Sequence, residues 1–149
     1  MTLKDRITAD MKDAMRARAS ARLSTLRLLL AAVKQREIDE RNVLSDTDVV
    51  AVVDKMVRQR RESIAQFDAG HRADLANAER AEIAILETYL PQAMTDAEID
   101  AAIDEALRAA RTAGGAGPAL MGKVMGALKG KLAGRADMAQ VSAKVKSRL

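Results

Sequence analysis

The chain has 149 residues and a formal net charge of +4, with 48% hydrophobic and 31% charged residues, a balance typical of folded globular proteins. It has no cysteine and one histidine, which excludes disulfides, thiolate nucleophiles and sites built from several histidines. Aromatic residues make up 1% of the chain, so the core must consist of aliphatic side chains and methionine, which mostly favour helices.

Capping-box patterns and apolar spacing predict four helices in the N-terminal part of the chain. Thr2 with Asp5 and Ser45 with Asp48 are residue pairs in which each side chain can accept a backbone N–H from the other. We expect a first helix that starts at Thr2, a second over 21–41, a third from Ser45 to about Gly70, and a fourth that ends at about Leu90. The residues expected to face inward on the second and fourth helices are Leu23, Leu26, Leu30, Val33 and Ile38, and Leu75, Ile83, Leu86 and Leu90.

Pro91 marks the predicted domain boundary, because proline disfavours helical geometry in the residue before it. Thr95 with Glu98 forms a third capping-box pattern, and the Gly/Pro-rich segment 114–118 predicts a loop. The three helices expected after Pro91 cover about 95–111, about 118–132, and a last segment capped by Asp137. The sequence therefore predicts an all-α fold, with a four-helix module over 1–91 and a small three-helix module over 92–149.

Charge is distributed unevenly in the C-terminal third. Residues 107–149 carry nine basic side chains and one acidic one, Asp137, and an acidic run over 96–105 precedes them. A basic surface favours polyanions, so this third is the best candidate for binding one.

Glycine recurs every fourth residue in the sixth predicted helix, at Gly122, Gly126, Gly130 and Gly134. Each interior glycine costs about 1 kcal/mol relative to alanine, and this spacing places them on one face. Two explanations are open: another helix packs closely along the face, or a ligand backbone such as phosphate or ribose approaches it. The basic residues near the glycines are Lys123, Lys129, Lys131 and Arg135.

Two other groups of residues have a structural and a functional interpretation. Met121, Met125 and Met138 are expected to fill the core rather than to form a partner-binding patch. The basic cluster in the third helix is expected to be a solvated, salt-bridged face, with a second phosphate contact as the alternative. This cluster consists of Lys55, Arg58, Arg60 and Arg61.

Catalytic motifs are absent from the sequence. There is no phosphate-binding loop, no dinucleotide-binding glycine pattern and no zinc-protease motif, and the carboxylate pairs fall at helix ends or on polar faces. Only Phe67 and Tyr89 could stack on a base, so an RNA ligand would be recognised through its shape and backbone.

Four segments resemble the GatB/YqeY domain family and together cover nearly the whole chain. They are LKDRITADMKDAMRARASARLSTLRLLLAAVKQREID, KMVRQRRESIAQF, AEIAILETYLP and MGKVMGALKGKLAGRADMAQVSAKVKSRL. The chain is similar to free-standing YqeY-like proteins, and the resemblance implies a four-helix module followed by a three-helix module. The family shares its domain with the tail of the B subunit of glutamyl/aspartyl-tRNA amidotransferase, where the tail is implicated in holding the tRNA body.

The resemblance also implies candidate site residues and partners. The matching motif is Gly122-x-x-Met125, Lys131 and 134–137, whereas Met138 stands where relatives often have glycine or proline. We expect binding of tRNA or another structured RNA beside a tRNA amidotransferase or an aminoacyl-tRNA enzyme, and no DNA, membrane, metal, cofactor or catalytic residue. The residues assigned to RNA contact are Gly122, Lys123, Gly126, Lys129, Gly130, Lys131, Gly134 and Arg135.

Two alternative functions remain open, and the sequence also suggests a cellular location. The chain could be a protein–protein adaptor of the translation machinery, with a partner helix that packs on the glycine-lined side of the sixth predicted helix. It could also be an amidotransferase-related carbon–nitrogen ligase component that uses glutamine as amido donor. The absence of an apolar leader, with acidic residues near the N-terminus, leads us to expect a cytoplasmic location.

Overall fold

The structure, a computed structural model, describes residues 1–132 and 134–149 and is all-α over those residues, which confirms the predicted fold class. The described residues form seven helices: α1 (Leu3–Arg16), α2 (Ser20–Glu40), α3 (Asp46–Ala69), α4 (Ala73–Glu87), α5 (Asp96–Thr112), α6 (Pro118–Leu132) and α7 (Met138–Ser147). They belong to two compact units, Met1–Leu90 with α1–α4 and Pro91–Leu149 with α5–α7. Among the described residues, none of the helices contains an apolar stretch of the length that a membrane span requires.

Side-chain caps determine where several helices begin. The hydroxyl of Thr2 accepts the backbone N–H of Asp5 at 3.1 Å, and the Asp5 carboxylate accepts the N–H of Thr2 at 3.2 Å. Ser45 and Asp48 make the same reciprocal pair at the start of α3. The hydroxyl of Thr95 accepts the backbone N–H of Glu98 at the start of α5. This is one of the two hydrogen bonds that make up the predicted capping box. These bonds satisfy N–H groups that have no partner within the first turn.

The core of the first unit consists of aliphatic side chains together with Met56 and one buried ring, Tyr89. Its side chains come from all four helices and from the loop residue Leu44, which links α2 to α3. The fully buried members of this core are Ile7, Leu26, Leu29, Val33, Val49, Val53, Val57 and Leu86.

Two predicted core positions of the first unit are wrong. Ile38 is 59% exposed and Leu75 is 37% exposed, whereas Leu29, which was not predicted, is fully buried. Helix α2 carries Leu, Ile or Ala on nearly every side, so its periodicity does not select one face. The buried face is decided by where α1 and α4 pack against it.

The second unit has a separate aliphatic core between α5, α6 and α7, and Asp137 caps α7 by accepting the N–H of Ala139 at 3.0 Å. Met121, Met125 and Met138 are partly buried against this core, which confirms their expected packing role. The buried core residues are Ala102, Ile103, Leu107, Ala110, Leu120, Val124, Leu128, Leu132, Val141 and Val145.

Candidate nucleic-acid interface

Helix α6 buries one side and presents the other to solvent. Its buried row is Leu120, Val124, Leu128 and Leu132. Because successive residues turn by about 100° around a helix axis, Gly122, Gly126 and Gly130 fall opposite that row. All three glycines are exposed, and we call them, with the exposed Ala119 one turn earlier, the glycine face.

The glycine face is open. A Cβ atom added at Gly122, Gly126 or Gly130 would meet no atom within 4 Å among those the structure describes. The explanation that this face packs against another helix of its own unit is therefore wrong. Three interior glycines cost an α-helix about 3 kcal/mol relative to alanine, and no internal contact of the described chain offsets that cost.

Two lysines border the glycine face. Lys123 and Lys129 lie on opposite sides of it by helical geometry, and both are exposed. Neither forms an ion pair with any carboxylate in the part of the chain that the structure describes. The face therefore combines an accessible helix backbone with two available positive charges.

Lys131 lies away from the glycine face, toward α5. Its Nζ is 3.4 Å from a carboxylate oxygen of Glu105, and both side chains are more than half exposed. An exposed pair of this kind contributes at most about 1 kcal/mol, so Lys131 can exchange Glu105 for another anion.

Arg135 and Gly134 form the turn after α6 rather than part of the face. Gly134 has φ +73°, which favours glycine. The Nε–H of Arg135 donates to the carbonyl of Gln92 at 3.0 Å, and its own carbonyl accepts the N–H of Met94 at 2.9 Å. Through these two hydrogen bonds, Arg135 fixes the segment that precedes α5, so its side chain already has a partner within the protein.

The basic character of the C-terminal third is partly neutralised by folding. Lys144 lies 3.2 Å from Asp100, and Arg148 binds both Asp100, at 2.9 Å, and Asp104. The acidic run on α5 is therefore the partner of the basic residues on α7. The unit Pro91–Leu149 has nine basic and six acidic residues, so its net charge is smaller than the C-terminal third alone indicates.

Three of the four residues in the basic cluster of α3 form salt bridges, as predicted for the cluster, and most of their acidic partners lie on α4. Lys55 is the exception, because it is exposed and forms no ion pair with the described residues. Arg60 binds Glu82 at 2.7 Å, and Arg61 binds Glu87 at 3.2 Å. The third arginine, Arg58, is 3.5 Å from Asp54 on its own helix.

Sequence reasoning identified the glycines and their flanking lysines but missed Ala119. This exposed residue extends the small side chains of the face by one turn toward the start of α6. Its three-residue spacing from Gly122 was the available signal.

Comparison with known proteins gives a family and several relatives. The profile of the family described as "Yqey-like protein" matches residues 4–149. A protein of Lachancea thermotolerans named "Altered inheritance of mitochondria protein 41, mitochondrial" is 39% identical over 95 residues, covering 60% of this chain and 50% of the relative. The protein of the same name from Kluyveromyces lactis is 40% identical over 83 residues, covering 54% of this chain and 44% of its own length.

A third relative is an uncharacterized protein of Schizosaccharomyces pombe. It is 31% identical over 86 residues, which cover 58% of this chain and 70% of the relative. The chain spans about half the length of the curated relatives that carry the mitochondrial name.

The names of these relatives contradict the expected cytoplasmic location. Several of the proteins similar to this chain are named as mitochondrial. The expectation was wrong because it depended on missing leader features and on acidic residues near Met1. Neither observation distinguishes the cytosol from another compartment.

Proposed function

The chain belongs to the YqeY-like protein family, and from this premise we propose that it binds tRNA or another structured RNA through the glycine face of α6. The observation that carries the proposal is the open glycine face with Lys123 and Lys129 on its two sides. The resemblance of the chain to the tail of a tRNA amidotransferase subunit supports tRNA as the RNA to test first.

The proposed binding uses the RNA backbone. Without side chains at Gly122, Gly126 and Gly130, a ribose–phosphate strand can approach the helix backbone closely. The two lysines then neutralise phosphates on either side of the strand and release counterions. Contacts of this kind position an RNA without reading its sequence.

Recognition through shape follows from the few rings in the protein. Tyr89 is buried and cannot stack on a base, which leaves the partly buried Phe67 as the other ring of the chain. A folded RNA offers the alternative of 2′-hydroxyl and phosphate contacts across its shallow minor groove. We further propose that the chain acts beside a tRNA amidotransferase or an aminoacyl-tRNA enzyme.

Binding of total tRNA, measured by electrophoretic mobility shift at several salt concentrations, tests the proposal. We expect the Lys123→Gln/Lys129→Gln double variant to bind more weakly, with a salt slope reduced by about 0.7–0.9 for each phosphate that the variant no longer neutralises. The matched control is Arg108→Gln/Lys146→Gln, which removes two exposed charges of the same unit outside the glycine face. Equal slopes for the two double variants would contradict the site.

Replacing Gly126 by Ala separates RNA binding from the adaptor function. If RNA lies on the face, the added methyl group lowers RNA affinity while the helix remains folded, because the Cβ meets no protein atom within 4 Å. Unchanged tRNA affinity together with loss of a protein partner would favour the adaptor.

A further inference from the structure

A groove runs between α2 and α3 in the unit Met1–Leu90 and has no role in the proposed RNA site. It is open to solvent and has a volume of about 590 Å³. Ala32 from α2 and Ala51, Val52 and Met56 from α3 line its apolar part. These side chains are small or largely buried, so they leave the space between the two helices unfilled.

The apolar surface continues beyond the groove along α2. Leu28 lies one turn before Ala32 on the same side of the helix and is 52% exposed. From Leu28 to Asp39, the last groove residue on α2, the helix rises by about 16 Å, or three turns. The surface is therefore long enough for three turns of a second helix.

The groove is bordered mainly by positive charge. Arg36, Lys55 and Arg58 are cationic lining residues, and Asp39 is the acidic one. Arg36 is compensated by Glu40 at 2.8 Å and by Asp48 at 3.5 Å.

Two of these cations are available to a partner. Lys55 is exposed and has no ion pair within the described residues. Arg58 lies 3.5 Å from Asp54, but its side chain is 62% exposed, so this weak pair can open for another carboxylate.

We propose that this groove binds an amphipathic helix of a partner protein, with apolar residues toward Ala32 and Val52 and acidic residues toward Lys55 and Arg58. An apolar floor with cationic borders is complementary to a helix that carries leucine-like residues on one side and carboxylates beside them.

An α-helix fits better than an extended segment. The N–H and C=O groups of α2 and α3 are already bonded within their own helices, so the groove offers no strand edge. An extended peptide on the apolar floor would leave backbone groups without partners, whereas a helix satisfies its own. The groove residues include no aromatic ring, which removes base stacking as a source of affinity for RNA.

Selection from a displayed library of helical peptides, about 15 residues long so that they span the three turns, tests the inference on the full chain. We expect enrichment of peptides with apolar residues at i, i+3 or i+4 and i+7, and with Asp or Glu beside them. The best peptide is then titrated by fluorescence anisotropy against variants of the chain.

Filling the groove and reversing its charge should each weaken binding of the selected peptide. We expect Ala51→Trp to raise the dissociation constant at least about tenfold and Lys55→Glu about fivefold. Ala78→Trp on α4 and Lys12→Glu on α1 are matched controls at exposed positions outside the groove, and they should leave affinity unchanged. Circular dichroism checks the fold of each variant, and Lys55→Glu tests the inference if Ala51→Trp does not fold.

Four results of the peptide experiments would overturn the inference: no enriched peptide, enrichment of basic peptides, equal affinity of Lys55→Glu and the wild type, or peptide displacement by tRNA. Dimerisation of the chain without peptide, abolished by Lys55→Glu, would identify a second copy as the occupant and would also overturn it. Co-sedimentation with anionic vesicles that depends on Lys55 would do the same for a lipid surface. The RNA proposal concerns the other unit. Of these results, only displacement of the peptide by tRNA would bear on it.

Discussion

Tyr89 is the single tyrosine of the chain and lies in the core of the first unit, 3% exposed. Its hydroxyl donates to a carboxylate oxygen of Asp10 at 2.7 Å, and the Arg6 guanidinium lies 5.0 Å from the centre of its ring. Burial, followed by the hydrogen bond to Asp10 and the charge of that carboxylate, raises the pKa of Tyr89 to about 12. Tyr89, one of the two rings that could have stacked on a base, therefore stabilises the core of the first unit instead.

The ionisation of Tyr89 can be measured directly, because the chain has no tryptophan and no second tyrosine. We expect a pH-jump titration of tyrosinate absorbance, read before unfolding, to give a midpoint at about 12, compared with about 10 in denaturant. The folded-state pKa is the higher one, so the stability contributed by Tyr89 is complete below about pH 10 and is lost as pH rises toward about 12. Asp10→Asn should lower the native midpoint, and a native midpoint at 10 would contradict the burial.

Glu37 joins three parts of the first unit. Its carboxylate accepts Lys4 Nζ from α1 at 2.6 Å and the backbone N–H of Leu44, before α3, at 2.9 Å. The hydrogen bond from Lys4, followed by the bond from Leu44, holds the pKa of Glu37 below its ordinary value.

A lowered pKa predicts a loss of stability in acid. The contribution of Glu37 is present above its unfolded pKa of about 4.5 and is lost as pH falls through the folded value. Glu37→Gln should therefore be less stable than the wild type at neutral pH, with a difference that shrinks below pH 4.5 in urea unfolding curves. Glu62→Gln, at an exposed position on α3, is the control, and an effect of equal size there would argue against the network.

Among the helices, α6 is less stable than a helix of the same length with alanine at its glycine positions would be. Its glycines face open space, so alanine at these positions adds helix propensity without a clash. We expect Gly122→Ala, Gly126→Ala and Gly130→Ala each to raise the free energy of unfolding by about 0.8–1 kcal/mol in denaturant titrations.

Gly115 provides a contrasting control for this prediction. A Cβ atom there would lie 2.8 Å from the carbonyl oxygen of Ala110, so Gly115→Ala should destabilise the same unit. Destabilisation by Gly126→Ala would instead mean that the glycine face is covered. A stabilised variant with weaker RNA binding would indicate that α6 retains glycine for its ligand at the expense of its own stability.

At the scale of the whole molecule, each unit contains its own core. The first is built from α1–α4 and the second from α5–α7, and each includes fully buried aliphatic residues. We therefore expect the fragments 1–90 and 91–149 to fold separately, with far-ultraviolet circular dichroism spectra that sum to that of the intact chain.

The smaller fragment should be the less stable of the two. At roughly 60 residues it buries a smaller share of its surface than a larger domain does. Thermal unfolding followed by circular dichroism measures both fragments, and a non-cooperative melt of either one would contradict its independence.

The helical fold, most helix ends and the largely aliphatic composition of the cores could be predicted from the sequence. Capping at Thr2 and Ser45 and helix termination before Pro91 depend on residues a few positions apart, so they can be read locally. The glycine spacing of α6 was visible for the same reason.

Which surfaces remain available to a ligand depends on how the helices pack and pair their charges. The pairing of Arg148 with Asp100 joins residues 48 positions apart, and no local pattern predicted it. Burial of Leu29 instead of Ile38 likewise depends on helices that pack against α2 from elsewhere in the chain. Helix formation is governed by neighbouring residues, whereas ion pairing and burial depend on distant ones, so the open glycine face and the α2–α3 groove became visible only in the folded protein.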